Sequence, residues 1–308
     1  MIQDKSPASR IFDVLIYLFM AAVIVVALYP ILNIFATSLS SSVAVERGLV
    51  TFYPREFTLR AYEMIFENAI IPRSFLNSIL YTVMFTAVAL VLTILLSYPL
   101  SKKRLPMRKF YTVIIVVTMF ISGGLVPTFL LVTKLGFYDS MLALVIPGAI
   151  STSNVMVMTS FFRSLPEELE ESAMLDGAND VVILIRIMLP LATASIATIG
   201  LFYAVYRWND WFTAMIYLKS TNKFPLPLIL RELVIENKLE DMMNIGGNAA
   251  NINGGKNLNA MRDNNMRNIN AETLKYATLM VSIIPMMIVY PFVQKFFVKG
   301  VMLGAVKG

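Results

Sequence analysis

The chain has 308 residues, 57% of them hydrophobic and 15% charged, with a net charge of +6, no cysteine and no histidine. Such a composition belongs to a membrane protein rather than a soluble globule. The two absences exclude disulfides, thiol chemistry, histidine acid–base catalysis and most zinc sites.

Six apolar runs, each near the roughly 20 residues needed to cross about 30 Å of hydrocarbon, predict an all-α integral membrane fold: 14–37, 75–100, 110–132, 140–162, 191–218 and 276–297. Lys5 and Arg10 lie in the leading segment 1–13, but the run behind them is longer than a signal-peptide core, so it is read as a retained span. Residues 38–74 follow as a loop. Within it Thr58 can cap a short amphipathic helix carrying Tyr62, Ile65 and Phe66, reaching about Asn68, suited to lie on a membrane or on a partner.

Between the second and third runs stand Lys102, Lys103, Arg104, Arg108 and Lys109 without an acid, whereas the next loop offers only Lys134. Basic residues in short loops mark the cytoplasmic side. That places 1–13, 163–190 and 298–308 in the cytoplasm, and 38–74 and 219–275 outside. The basic excess is therefore a topology signal, with no nucleic acid implied. Pro99, Pro127, Pro147 and Pro285 sit within or near the ends of the runs and predict bends.

Residues 163–190 are charged. Ser164, with Glu167 three residues on, has the spacing of a capping box, and Glu167, Glu168, Glu170 and Glu171 put negative charge at the positive end of a helix. Leu165, Leu169 and Ala173 recur on one face. Gly177 then stops that helix, Asn179 or Asp180 caps a second over Val181–Leu189, and Pro190 turns the chain. Paired carboxylates could act as acid and base, yet these lack any metal-ligand pattern and have a local role in starting a helix.

The fifth run carries Tyr203, Tyr206, Arg207, Trp208, Asn209, Asp210 and Trp211. At 1.5 Å per residue Arg207 lies roughly 24 Å along that helix, where an ionisable group is costly unless paired or facing water. Arg207 and Asp210 are spaced to neutralise each other. Rings beside hydrogen-bonding groups suit a sugar-conducting path, and an interfacial aromatic belt would look similar. Beyond it, Leu228–Leu239 predicts a short helix and Asn244–Asn270 a Gly/Asn-rich insert with too few apolar residues to pack. Gly254-Gly255-Lys256-Asn257 lacks the upstream glycine and the Ser/Thr of a Walker A loop, so no ATPase activity is expected.

Glu171-Ser172-Ala173, Asp176-Gly177-Ala178 and Leu189-Pro190, at these spacings, resemble the EAA loop of binding-protein-dependent ABC importer permeases. Phe161–Pro166 agrees with that pattern. The end Lys299–Gly308 (KGVMLGAVKG) resembles the carbohydrate branch, typified by the smaller permease of maltose systems. That tail and Arg207–Trp211 look most like the subgroup for oligosaccharides or polysaccharide fragments. Ser172 stands where a second alanine is usual, Leu184 where phenylalanine is common, and Ala194 where a second proline often occurs.

The resemblance covers essentially the whole chain and implies a type I importer fold: six transmembrane helices in a bacterial cytoplasmic membrane, with no catalytic residue and no bound metal or cofactor. ATP and magnesium would be used by two partner ATPase subunits. The other partners implied are a second homologous permease, an extracytoplasmic solute-binding protein touching 219–275, the carbohydrate and the bilayer. Glu171, Ser172, Ala173, Asp176, Gly177, Ala178 and Pro190 would form the ATPase-coupling element, with Gly304, Lys307 and Gly308 reaching the ATPase pair. The alternatives are the same architecture for another polar solute, and an ion-coupled secondary transporter using the charges of the fifth run.

Overall fold

The structure, a computed structural model, describes residues 7–67, 69–235, 273–291 and 294. The predicted insert at 244–270 and the tail residues Gly304, Lys307 and Gly308 lie outside them. Helix is the only regular structure among the described residues. They fall into two compact units, one of residues up to Pro72 with Glu232–Ile283, the other of Arg73–Arg231 with the residues from Ile284 on.

In the first unit α1 (Pro7–Ser38) is apolar on every side, and none of its most hydropathic stretch is buried among the described residues. A helix of that kind needs lipid or another helix around it. After Ser38 the backbone folds back on itself. The Thr58 N–H donates to Leu39 O at 3.0 Å and the Ser41 N–H to Arg55 O at 3.2 Å. The Ser41 hydroxyl caps α2 (Ser42–Glu46), accepting from the Ala44 N–H at 3.2 Å. The predicted amphipathic piece is α3 (Arg60–Glu67), where Thr58 Oγ1 accepts the Arg60 N–H at 3.2 Å. Ala61 and Ile65 are buried, Tyr62 bonds the Ser38 hydroxyl at 2.9 Å, and Phe66 is left exposed.

The second unit is organised on α4 (Ile70–Ser101), which belongs to it from Arg73 onward. Phe85, Ala89 and Tyr98 on one face of α4 share a core with Met158 and Phe162 of α8 (Thr152–Ser164). Ile199 and Tyr203, from Thr193–Trp208, complete it. Close approach is built in at Gly200, where a Cβ would come within 3.2 Å of Leu90.

Three predicted runs are interrupted. The third is split into α5 (Arg108–Phe120) and α6 (Leu125–Lys134), bent by 110°. Gly124, at φ +81, sits in that break. The fourth is α7 (Leu142–Val145) and α8, separated around Pro147 and Gly148, the latter at φ +81. In the fifth, Thr193–Trp208 ends before a further helix, Phe212–Tyr217. Hydropathy counts apolar residues and is blind to the direction of the backbone, which proline and positive-φ glycine change. Among the described residues three helices are long and apolar enough to cross a membrane, Ile11–Ser38, Ile70–Ser101 and Thr273–Pro291, or up to five if each of two bent pairs is one span.

One carboxylate ties the second unit together at the loop after α6. Asp139, itself at φ 53, accepts the Lys219 and Ser220 N–H groups, each at 3.0 Å, the Ser220 hydroxyl at 2.7 Å and the Lys223 ammonium at 2.8 Å. Lys223 O in turn accepts the Tyr81 hydroxyl of α4 at 2.9 Å, and Asn77 donates to Asn222 O and Phe224 O at 3.0 and 3.1 Å. The bonds from Lys223, Ser220 and Lys219 hold the Asp139 carboxyl well below the usual carboxylate range. A depressed carboxylate stabilises the fold above its ordinary pKa, and the contribution disappears as pH falls toward the depressed value. Asp139→Asn should therefore lower the thermal midpoint at pH 7. The gap to wild type should narrow progressively below about pH 5, as read by thermal unfolding in detergent.

Candidate functional site

The charged segment forms a helix, a turn and a second helix. Residue Ser164 is the last of α8 and its hydroxyl donates to Phe161 O at 2.7 Å, so the expected capping box does not form. The Glu167 carboxylate goes instead to Lys103 at 2.7 Å. The first short helix, α9, is Glu168–Leu175. It ends on a Schellman motif, with the Ala178 N–H on Ala173 O at 2.9 Å and the Gly177 N–H on Met174 O at 3.0 Å. Gly177 has φ +83, a backbone that only glycine adopts without strain. Asn179 then caps the next helix, its side chain accepting the Val182 N–H at 2.9 Å.

That helix, α10 (Asp180–Leu191), contains wide π-type turns over Leu184–Met188. They lie directly ahead of Pro190, which has no N–H to donate back along the helix. Pro190 does not turn the chain. An 82° bend comes two residues later, at Ala192, before α11 (Thr193–Trp208). Local helix geometry absorbs the proline, and the change of direction follows it.

The inward side of α9 differs from expectation at one position. Ala173 is buried, and Leu165, Met174 and Ala178 pack on the same core, whereas Leu169 is 40% exposed. Leu175 is 89% exposed, and Glu171, Ser172, Asp176 and Gly177 also face out. Of the seven coupling candidates, Ala173 and Ala178 anchor the turn while Glu171, Ser172, Asp176, Gly177 and Pro190 are accessible.

Sequence reasoning assigned Lys102, Lys103 and Arg104 to topology alone. The structure brings each to an acid of the charged segment: Lys102 to Glu170, Lys103 to Glu167, and Arg104 to Asp180. In the first pair both side chains are only 12% exposed, and the Lys102 ammonium lies 4.3 Å from the centre of the Tyr98 ring. Burial and the adjacent Arg104 pull that ammonium down to about 8, while Asp180 and Glu167 pull it back up. Arg163 adds a fourth tie, donating to Leu100 O at 2.9 Å. The signal was present in the sequence as an acid-free basic run and an acid-rich helix, without anything local to pair them.

The second group of candidates is on and after α11. Tyr203 is 2% exposed and belongs to the core, its hydroxyl bonded to Thr93 Oγ1 at 2.7 Å and to the Ser151 N–H at 3.2 Å. Arg207 is 5% exposed and bonds Asp210 at 2.7 Å, with its guanidinium 4.2 Å from the centre of the Phe85 ring. Its Nε has no hydrogen-bond partner among the described residues. Trp208 is buried edge-on to Phe75 at 6.0 Å. Tyr206, Asn209 and Trp211 are exposed, and Trp211 lies 4.9 Å from the Arg231 guanidinium. The seven thus divide into a buried set with Tyr203, Arg207 and Trp208, an accessible set with Tyr206, Asn209 and Trp211, and half-buried Asp210 between them.

Asp210 also accepts the Thr213 N–H at 3.0 Å, so it serves the guanidinium and the start of the next helix together. Removing one member of a buried ion pair leaves an unpaired charge in a poorly solvated place. Asp210→Ala should cost about 3–5 kcal/mol. Asp210→Asn, which keeps the cap, should cost less; chemical denaturation in detergent would compare them.

No family model matches the chain. It is 39% identical over 302 residues to the polygalacturonan/rhamnogalacturonan transport system permease protein of Bacillus subtilis, covering 97% of this chain and 99% of that one. It is 25% identical over 309 residues to the arabinooligosaccharides transport system permease protein of Halalkalibacterium halodurans, covering 99% of this chain and 100% of that one. Among solved structures it matches a chain from a bacterial ABC transporter involved in the import of the acidic polysaccharide alginate, at TM-score 0.83 and 33% identity over 96% of this chain and 99% of that one. Full-length similarity of this degree, on a helical fold with membrane-length apolar helices, places the chain in the ABC transporter permease family, as a non-catalytic, multi-pass subunit of a bacterial membrane importer.

Proposed function

We propose that the chain is one permease subunit of an ATP-driven importer for oligosaccharides or polysaccharide fragments, forming half of the translocation path. The observation that carries this reading is the end-to-end similarity to the polygalacturonan/rhamnogalacturonan permease and to the alginate importer chain. Six spans are proposed: the three long helices, the bent pair α5 and α6, the interrupted run 140–162, and α11 with the helix Phe212–Tyr217 that follows it. The full transporter would add a second homologous permease, two ATPase subunits that use ATP and magnesium, and an extracytoplasmic solute-binding protein. The tail with Gly304, Lys307 and Gly308 is proposed to touch the ATPase pair. The surface around Tyr206, Asn209 and Trp211 is proposed to line the path, because rings and amide groups together suit pyranose faces and hydroxyls.

Coupling is proposed for the turn after α9. Its apolar and small exposed residues, Leu175, Ser172 and Gly177, offer a short rigid knob fixed to the core by Ala173 and Ala178. Seated in a cleft on an ATPase, such a knob lets nucleotide and substrate bias one conformational equilibrium.

Co-purifying the complex and asking which saccharide stimulates ATP hydrolysis tests the substrate class. Oligogalacturonates, alginate oligomers, arabino-oligosaccharides and maltose form an informative panel. Stimulation by none of them, or uptake that survives loss of the ATPase and collapses with the ion gradient, would sink the proposal. For the coupling turn, a Cβ at Gly177 would meet none of the described residues within 4 Å, so substitution acts through backbone strain, about 1–2 kcal/mol for a left-handed residue. Gly177→Val should insert normally yet hydrolyse ATP without uptake, and Gly177→Asn, better tolerated at positive φ, should keep part of the coupling.

A further inference from the structure

The basic loop after α4 is tied to the coupling segment more closely than a topology signal requires. Lys102, Lys103 and Arg104 each take a different acid, from α9, from the residue before it and from the first residue of α10. Arg104 also donates to the Met174 sulfur at 3.3 Å, and Arg163 donates to the Leu100 carbonyl at 2.9 Å. Only the Lys102–Glu170 pair is sheltered; the side chains of the other two are between 47% and 76% exposed. Exposed pairs of that kind contribute little, whereas losing one partner of a sheltered pair leaves an uncompensated charge. By chain connection alone, α9 and α10 pull on α8 and α11. The shared core packs α4, which is not joined to them in sequence, against both, and the ion pairs add a directional tie to its end.

We infer that Lys102 and Glu170 form a brace through which motion of the coupling helix is delivered to α4, so that both are positioning residues for coupling. The inference rests on the coupling role proposed for α9. With the brace in place, α9 and the adjacent end of α4 move as one body. Without it only the non-directional apolar packing of Ala173 and Met174 joins α9 to the core it shares with α4, so α9 can slide and part of the force is lost as local bending rather than span movement.

The absence of cysteine from this chain allows spin labels to be placed in it at chosen positions only, with partner subunits freed of cysteine by substitution. Glu168→Cys on α9 and Val91→Cys on α4 are both exposed. In the assembled transporter, the distance between these labels should be the same without nucleotide and with ATP trapped by vanadate. Glu170→Gln and Lys102→Ala should each broaden that distance and make it nucleotide-dependent. The exchange Lys102→Glu with Glu170→Lys should restore the narrow distribution, which a merely structural loss of folding would not. A wild-type distance that changes with nucleotide, single variants as narrow as wild type, or an exchange no better than the singles would each overturn the brace. If a single variant does not assemble, the exchange variant alone decides: a narrow, nucleotide-insensitive distance supports the brace and a broad one rejects it. Failure of the docking reading looks different, because the Glu168 label would then keep the same mobility with and without the ATPase subunits.

Discussion

An ionised side chain beside an apolar phase must have its counter-charge within reach, and this chain arranges its few sheltered charges accordingly. Solvation is scarce for such groups, and a lone one costs several kcal/mol. Lys102 with Glu170 and Arg207 with Asp210 answer the requirement in different ways. The second pair is three residues apart on one stretch of chain, so its counter-charge is supplied locally. The first joins residues 68 positions apart, so satisfying it fixes where the α9 segment lies against the end of α4. Aromatic faces complete both arrangements, Tyr98 for the lysine and Phe85 for the arginine.

The same requirement gives the fold its division of labour. The core around Phe85, Met158, Phe162 and Ile199 is continuous with the inner side of α9 through Ala173 and with α10 through Ile183, Leu184 and Met188. The segment that carries the coupling candidates is therefore packed on the spans as part of their core. At the loop after α6, the Asp139 carboxylate gathers backbone and side-chain donors from residues 219–223 in a polar counterpart to that packing. Apolar contact holds one region and a hydrogen-bonded carboxylate the other.

Features set by a few neighbouring residues were legible in the sequence. Gly177 as a left-handed helix stop, Asn179 as a cap, the Arg207–Asp210 pair and the amphipathic helix after Thr58 all depend on spacings of a few residues, and the structure has each of them. Features decided by competition across the fold were not legible. The hydroxyl of Ser164 had a nearer acceptor in its own helix, and Glu167 had a lysine from a distant loop. Tyr203 read as a path residue, yet Thr93 and Ser151 hold it in the core. Breaks at Gly124 and Ala192 lie inside hydropathic runs that look unbroken, since composition carries no direction, whereas the break at Pro147-Gly148 was marked by its proline.

The wide turns at Leu184–Met188 make segment length a matter of angle. An α-helix advances about 100° per residue, and a π-type turn accommodates one residue more than an α-turn does. The outward face of α9 is therefore phased against α11 by a fixed count of residues between Gly177 and Ala192. A one-residue deletion within those wide turns would let the helix return to regular turns with its two ends in nearly the same phase, whereas the same deletion in the regular turns on either side would swing the knob by about a quarter of a circle. Outside the wide turns, insertions and deletions act as rotations; within them, a change of one residue is taken up as a change of turn.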